Sequence, residues 1–311
     1  MPATPRPVLL DCDPGTDDAV ALWLALAAPG IDLQLVTVAG GNVGLERTLP
    51  NARAVLGLAG AGVPVVAGAD RPLVGRFRSE TRVHGMDGLG GVTLPEGPPA
   101  TPGLAADAIR ARLRAAAAES VTLVGLGPAT NLALALAAEP DLAGRVAEIV
   151  LMTGAVGEGN WSSAAEFNAA MDPEALAILL ACGRPVTLAT LDLTAQALVT
   201  PARVAALRAV SGGGRCLAAA VEILAAIPPS RRFEHRGVPL HDPCAVMWLV
   251  APELFTHRAV TASVVLDGAD RGRTRIDRWG RDGAPANARL LEGLDAEGFF
   301  AALGMMLKEL K

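Results

Sequence analysis

The chain has 311 residues, with 51% hydrophobic residues, 19% charged residues and a net charge of −5. That balance supports a sizeable core and excludes a disordered chain. With only two lysines, Lys308 and Lys311, and a net negative charge, a general nucleic-acid or anionic-membrane surface is not indicated.

The cysteines Cys12, Cys182, Cys216 and Cys244 are far apart, with no CxxC pair. They read neither as a zinc site nor as a disulfide framework. Met1 to Pro7 holds no apolar signal core, and no apolar run reaches the length of a membrane span. The expectation is a cytoplasmic protein that makes no membrane contact.

In chain order, Val8-Leu9-Leu10 reads as a buried strand, and Ala19 to Leu26 as a helix apolar almost all round. Between them lie Asp11, Asp13, Asp17 and Asp18, with Pro14-Gly15 marking a tight turn. Strands follow at Leu33–Val38, Val63–Ala67, Val121–Val124, Glu148–Met152 and Val186–Leu191. Helices are expected at Asn51–Ala59, Leu104–Ala118, Asn131–Ala138 and from Pro173 to about Cys182, with proline at the first turn. A strand at Val260–Leu266, a basic turn at Arg271–Arg281 and a helix from about Glu297 close the chain. The arginines of the turn read as a solvated hairpin. Alternating strands and helices, with strands rich in Val and Leu, predict an α/β fold: one domain over residues 1–311, with a mostly parallel central sheet flanked by helices on both faces. Gly/Pro-rich segments at 68–103, 154–163 and 228–239 interrupt the pattern, and long irregular connections of this kind are often functional.

The four aspartates carry the first chemical signal. Carboxylates near a helix start can cap it, which accounts for Thr16 and Asp17 but not for Asp11 and Asp13 on the strand side. A hard divalent cation, Ca²⁺ or Mg²⁺, would relieve their repulsion. The carboxyl end of an interior strand is also where open α/β sheets bind ligands.

Asp11-Cys12-Asp13-Pro14-Gly15-Thr16-Asp17-Asp18-Ala19 resembles the N-terminal signature of the inosine–uridine nucleoside hydrolases, Ca²⁺-dependent enzymes that cut the N-glycosidic bond of ribonucleosides. The likeness runs along the whole chain. Val36 to Asn42 resembles the family's second strand, ending at an asparagine that lines the ribose pocket. Leu123 to Asn131 resembles a loop whose backbone carbonyl ligates calcium, with Leu126 where the family often has threonine. Asn160 and Glu166-Phe167-Asn168 resemble the ribose-binding element. His241-Asp242-Pro243 resembles the HDP element, and Arg271 to Asp277 the C-terminal RGxTxxD hairpin.

The resemblance implies Asp13, Asp18, Asp242 and the Leu126 carbonyl as metal ligands, and Asp17 as the base that takes a proton from water. It implies Asn42, Asn160, Glu166 and Asn168 as ribose-binding residues. Read alone, Asn160 is an ordinary loop residue, and Glu166-Phe167-Asn168 could cap the helix near Pro173. His241 is the expected donor to the leaving base, since it adjoins Asp242 and titrates near neutrality. His84, in a Gly-rich loop, matches a second histidine of pyrimidine-preferring relatives, whereas His235 and His257 read as surface residues. Nonspecific relatives often use tyrosines before HDP, and this chain has no tyrosine. The implied substrates are therefore uridine and cytidine, with a nonspecific or inosine-cleaving enzyme as the alternative. A homodimer or homotetramer is implied as well.

Two other classes compete. A haloacid-dehalogenase-like phosphatase also places DxD after its first strand, but it needs a Thr where this chain has Gly15 and a lysine near the phosphate. A non-catalytic calcium or sugar binder would need neither Asp17 nor His241.

Overall fold

The computed structural model describes residues 4–210 and 212–310. Met1, Pro2 and Ala3, part of the N-terminal stretch read above, lie outside the described residues, as does Lys311. Strand β1 (Arg6–Cys12) leads into helix α1 (Thr16–Ala27), β2 (Ile31–Val38) into α2 (Leu45–Leu58), and β3 (Val65–Ala67) into the one-turn α3 (Thr81–His84) and α4 (Ala105–Ala115). Then come β4 (Val121–Gly125), α5 (Thr130–Ala138), β5 (Val146–Met152), α6 (Phe167–Met171) and α7 (Pro173–Ala181). Strand β6 (Val186–Ala189), the short α8 (Leu191–Thr194) and β7 (Leu198–Val199) precede α9 (Pro201–Arg208), α10 (Arg215–Ala226), β8 (Val238–Pro239) and α11 (Asp242–Val250). The chain ends with β9 (Phe255–Val264), β10 (Thr274–Asp277), β11 (Ala288–Leu294) and α12 (Ala296–Glu309).

Nine strands form one sheet in the order β10-β9-β11-β6-β5-β4-β1-β2-β3. Pairing is parallel from β3 through to β11; β9 and β10 pair antiparallel at the other edge. From β1 the chain first builds toward β3, then returns to lay β4, β5 and β6 on β1's other side. The sheet therefore reverses direction between β1 and β4, and a crevice opens there at the strands' carboxyl ends.

Strand alternation splits the core in two. Leu10, Val36, Val124 and Val150 face α1, α10, α11 and α12, where Trp23, Leu224, Met247 and Phe299 are buried. Leu9, Leu123, Ile149 and Leu188 face α4, α5 and α7, against Ile109, Leu132 and Leu179. Trp23 can be fully buried because its indole N–H donates to the Val55 carbonyl at 2.9 Å.

Several expected boundaries shift. Helix α2 begins at Leu45, so Pro50 lies inside it rather than ahead of it. Strand β6 stops at Ala189 because α8 starts at Leu191. Helices α9, α10 and α11 occupy stretches without a distinct expectation. Strand β11 was hidden by Arg289, Glu292 and Gly293, which interrupt its apolar run. The basic turn is less solvated than expected. Thr274 is buried and bonds Ala155 in both directions, at 2.9 and 2.7 Å, while Arg271 pairs with Glu174. Cys12, Cys216 and Cys244 are buried, and none of the four cysteines is in a disulfide.

Candidate active site

The crevice is built where β1 and β4 end. Asp17, Asn42, His84, Leu126, Asn160, Glu166, Asn168, His241 and Asp242 all line it. Asp13 and Asp18 lie just beneath, at 1% and 0% exposure. Every residue implied by the resemblance is thus at one place, although the chain brings them from positions 13 to 242.

The helix start is capped differently from the expectation. Asp18, not Thr16 or Asp17, accepts the Gly15 N–H at 2.8 Å and the Asp13 N–H at 3.2 Å. The Asn42 amide donates to the same carboxylate at 3.1 Å and to the Asp13 carbonyl at 3.2 Å. Asn42 thereby ties the end of β2 to the acidic turn. Asp13 accepts the Asn42 N–H at 2.7 Å with one oxygen, while its other oxygen is buried without a partner. A Cβ at Gly41 or Gly127 would fall on the Asp13 carboxylate, so two glycines keep room around it.

One oxygen of Asp17 is also buried and unpartnered. Carboxylate oxygens of Asp17, Asp18 and Asp242 lie within 4.8 Å of one another. Burial and mutual repulsion push these acids up. Burial, reinforced by the other aspartates, lifts Asp13 and Asp242 well above the carboxylate range. Burial also lifts Asp18 to about 6, with Asp17 adding to the shift, and Asp11 to about 7. Asp11 is held by Thr37 at 2.6 Å and Asn131 at 2.8 Å and does not face the crevice. The orphaned buried oxygen of Asp13 and the three converging carboxylates, of which Asp17 has an orphaned oxygen of its own, fit a cation with hard oxygen ligands. Asp13, Asp18 and Asp242 would hold it with the Leu126 carbonyl, and Asp17 is near enough to share it.

The sugar-side residues are tied together. Asn168 donates to the carbonyls of Leu126 at 2.7 Å and Met152 at 3.0 Å, joining α6 to the ends of β4 and β5. Glu166 accepts the backbone N–H groups of Gly154, Asn168 and Ala169, so it caps α6 and not the helix at Pro173, which Asp172 caps. Burial raises the Glu166 carboxyl, and those N–H groups draw it back. Asn160 is exposed and accepts the Phe167 N–H at 2.8 Å, which leaves its amide N–H₂ for the crevice.

The two histidines reach the crevice from different segments. His84 is buried, and its Nδ1 accepts the Thr16 backbone N–H at 3.2 Å, with the Thr16 hydroxyl at 3.0 Å. Gly15 permits this approach: a Cβ there would sit 2.5 Å from His84 Nδ1 and 2.7 Å from Asn42 Nδ2. His241 precedes α11, with its Nδ1 2.7 Å from the Thr194 hydroxyl. Burial lowers the His241 pKa, Asp17 opposes that, and His84 and Arg232 add to it. Val83, Ile227, Val238 and Pro239 supply an apolar wall beside the histidines. Arg232 donates to the Gly159 and Glu158 carbonyls at 3.0 and 3.1 Å, linking two of the Gly/Pro-rich segments. His235 and His257 are exposed, as expected.

Sequence reasoning did not find Thr194, Arg232 or the apolar wall. Nothing in the spacing of Thr194 marks it, because its partner is 47 positions away.

Comparison with known proteins gives a consistent result. The family model for inosine-uridine preferring nucleoside hydrolases matches residues 8–301. The chain is 39% identical over 306 residues to the pyrimidine-specific ribonucleoside hydrolase RihA of Shewanella woodyi, covering 97% of this chain and 98% of the relative. It is 39% identical over 305 residues, with the same coverage, to RihA of Escherichia coli K12. The solved structure of a purine-preferring ribonucleoside hydrolase from Gardnerella vaginalis superimposes with a TM-score of 0.90 at 30% identity, covering 98% of this chain and 99% of that one.

Proposed function

This chain belongs to the inosine-uridine preferring nucleoside hydrolase family and is a ribonucleoside N-glycosidase, and from that premise we propose that it is a Ca²⁺-dependent hydrolase of pyrimidine ribonucleosides, chiefly uridine and cytidine. The observation that carries the base preference is the pair His84 and His241, both lining the crevice beside the apolar side chains of Val83, Ile227, Val238 and Pro239. The names of the RihA relatives support the same preference.

Bound calcium would chelate the ribose 2′- and 3′-hydroxyls and lower the pKa of an adjacent water. Asp17 takes the proton from the attacking water, because it alone of the α1 aspartates lines the crevice and it keeps a free buried oxygen. Asn42, Asn160, Glu166 and Asn168 bind the sugar hydroxyls. Asn160 has an uncommitted amide for this, whereas Glu166 acts through oxygens already held by backbone N–H groups. Water attacks C1′ from the face opposite the base, as in inverting glycosidases. As the glycosidic bond stretches, negative charge grows on the uracil carbonyl oxygens. His241 and His84 donate hydrogen bonds to them, and the base leaves without first becoming a free anion.

We propose residues 1–311 as one domain in a cytoplasmic protein, with a homodimeric or homotetrameric state carried over from the family resemblance. No helix among the described residues is long and apolar enough to cross a membrane.

The test is product and metal analysis of protein purified without added metal. Uridine should yield equimolar ribose and uracil, and the active protein should contain calcium. Full activity with zinc, or with no metal, would overturn the calcium assignment. Absence of free base from any nucleoside would overturn the whole reading.

A further inference from the structure

We propose that Thr194 is the positioning residue that fixes the His241 imidazole with its Nε2–H turned toward the departing base, an inference that rests on the role of His241 given above. Thr194 is the last residue of α8 and is fully buried. Its hydroxyl has one proton and two nearby polar partners. His241 Nδ1 is at 2.7 Å, and the Leu191 carbonyl is at 3.5 Å, the limit of hydrogen bonding. We assign the hydroxyl proton to the shorter contact, the one with the ring. Nδ1 then presents its lone pair, and the neutral ring carries its own proton on Nε2. Nε2 makes no hydrogen bond among the described residues, and His241 lines the crevice.

The pairing is enforced by the backbone around it. Strands β7 and β8 pair Leu198 with Pro239 and Val199 with Val238. The Leu240 N–H adds a bond to the Ala197 carbonyl at 2.9 Å. Ala197 in turn donates to the Thr194 carbonyl at 3.0 Å, and the Thr194 N–H donates to Thr190 at 3.0 Å. This small ribbon staples the segment after Thr194 to the segment before His241, so the hydroxyl meets the ring at a fixed place. Gln196 anchors the segment to β11, with bonds to the Glu292 carbonyl and the Leu294 N–H, both at 2.9 Å.

His84 reaches the same tautomer by another route. A backbone N–H can only donate, so the Thr16 N–H on Nδ1 leaves the His84 proton on Nε2. Two rings oriented in this way offer the base two N–H donors, which can be taken by O2 and O4 of uracil or by O2 and N3 of cytosine. The backbone donor at His84 cannot be removed by substitution, but the hydroxyl at His241 can.

The experiment compares Thr194→Val, which keeps the shape and loses the hydroxyl, with Thr194→Ser, which keeps the hydroxyl. The holoenzymes are assayed on uridine and on p-nitrophenyl riboside, whose leaving group needs no donor. Thr194→Val should lower kcat for uridine by about 10-fold or more, part of the effect of a positioned proton donor. KM and turnover of p-nitrophenyl riboside should stay within a small factor, and Thr194→Ser should restore most of the uridine rate. Ring ¹⁵N spectra of histidine-labelled parent protein provide a readout separate from activity. They should show His241 with a bare Nδ1 and a protonated Nε2, and this pattern should weaken in Thr194→Val. Equal uridine rates for the Val variant and the parent, or a parent His241 with its proton on Nδ1, would overturn the proposal. Loss of both substrates together in Thr194→Val, with no recovery in Thr194→Ser, would also overturn it. A failure of the His241 role would appear instead as normal uridine turnover by His241→Ala, and the spectra would still decide whether Thr194 sets the tautomer.

Discussion

The Nδ1 of His84 lies 3.9 Å from Oδ1 of Asp17, yet that nitrogen accepts the Thr16 N–H. A neutral His84 therefore has no proton on the side facing Asp17, and the two groups are neighbours without sharing one. In the proposed mechanism this leaves the carboxylate to water and the ring N–H to the base.

This separation makes Asp17→Asn a clean substitution. It removes the base and preserves the shape, with no His84 proton to release. Turnover should fall by about 10²–10⁴-fold, the usual contribution of a positioned general base. Uridine and p-nitrophenyl riboside should fall together, because both need the attacking water. Steady-state kinetics on the two substrates checks this; near-normal turnover would mean that the proton goes elsewhere.

The histidines should show the opposite pattern. His241→Ala should cut kcat for uridine by about 10²-fold or more, within the range of acid catalysis. It should spare p-nitrophenyl riboside to within a small factor. His84→Ala should show the same contrast more weakly. If His241 only orients Asp242, both substrates would lose activity in parallel.

Gly15→Ala tests the close approach at the turn. Gly15 has φ −102°, which alanine adopts freely, so any effect is steric. The new Cβ would press on His84 and Asn42 at 2.5 and 2.7 Å. A displacement of about 1 Å at a reacting centre costs about 10²-fold in rate, and kcat/KM for uridine should drop on that scale with little change in secondary structure by circular dichroism.

The buried acids predict an unusual pH response. Burial raises the carboxyls of Asp18 and Asp11 from 3.8 to about 6 and about 7. A raised folded-state value means the folded chain binds more protons than the unfolded one. The stability this supplies is complete below 3.8 and is lost as pH rises through about 6 and then about 7. Metal-stripped protein should thus melt at a lower temperature at about pH 8 than at about pH 5, and added calcium should raise Tm more at the higher pH. Thermal melts with chelator and with calcium check the sign; a stripped protein that gains stability toward high pH would contradict it.

Much of the fold was legible because its strands are short apolar runs punctuated by Gly and Pro. The DxDPGxDD turn could be placed at a strand end from local pattern alone. What escaped were contacts that local pattern does not encode. Strand β11 carries Arg289 and Glu292 because it lies near the sheet's mixed edge, where those side chains pair with Glu148, Arg258 and Arg278. Glu166 looked like a cap for the helix at Pro173, but α6 intervenes and takes the cap for itself. Asp18's part in capping α1 depends on how the turn folds back, which residue spacing does not reveal. Thr194 meets His241 only because β7 and β8 pair.

The pyrimidine preference is tested most directly by the ratio of kcat/KM for uridine to that for inosine, measured on the calcium-loaded protein. Hypoxanthine leaves from its imidazole ring and calls for a donor at N7, whereas the two N–H donors proposed at His84 and His241 suit the carbonyl oxygens of uracil. The ratio should favour uridine by at least about 10-fold, since a site built around particular hydrogen bonds discriminates against a base that cannot make them. A ratio near one, or one favouring inosine, would contradict it.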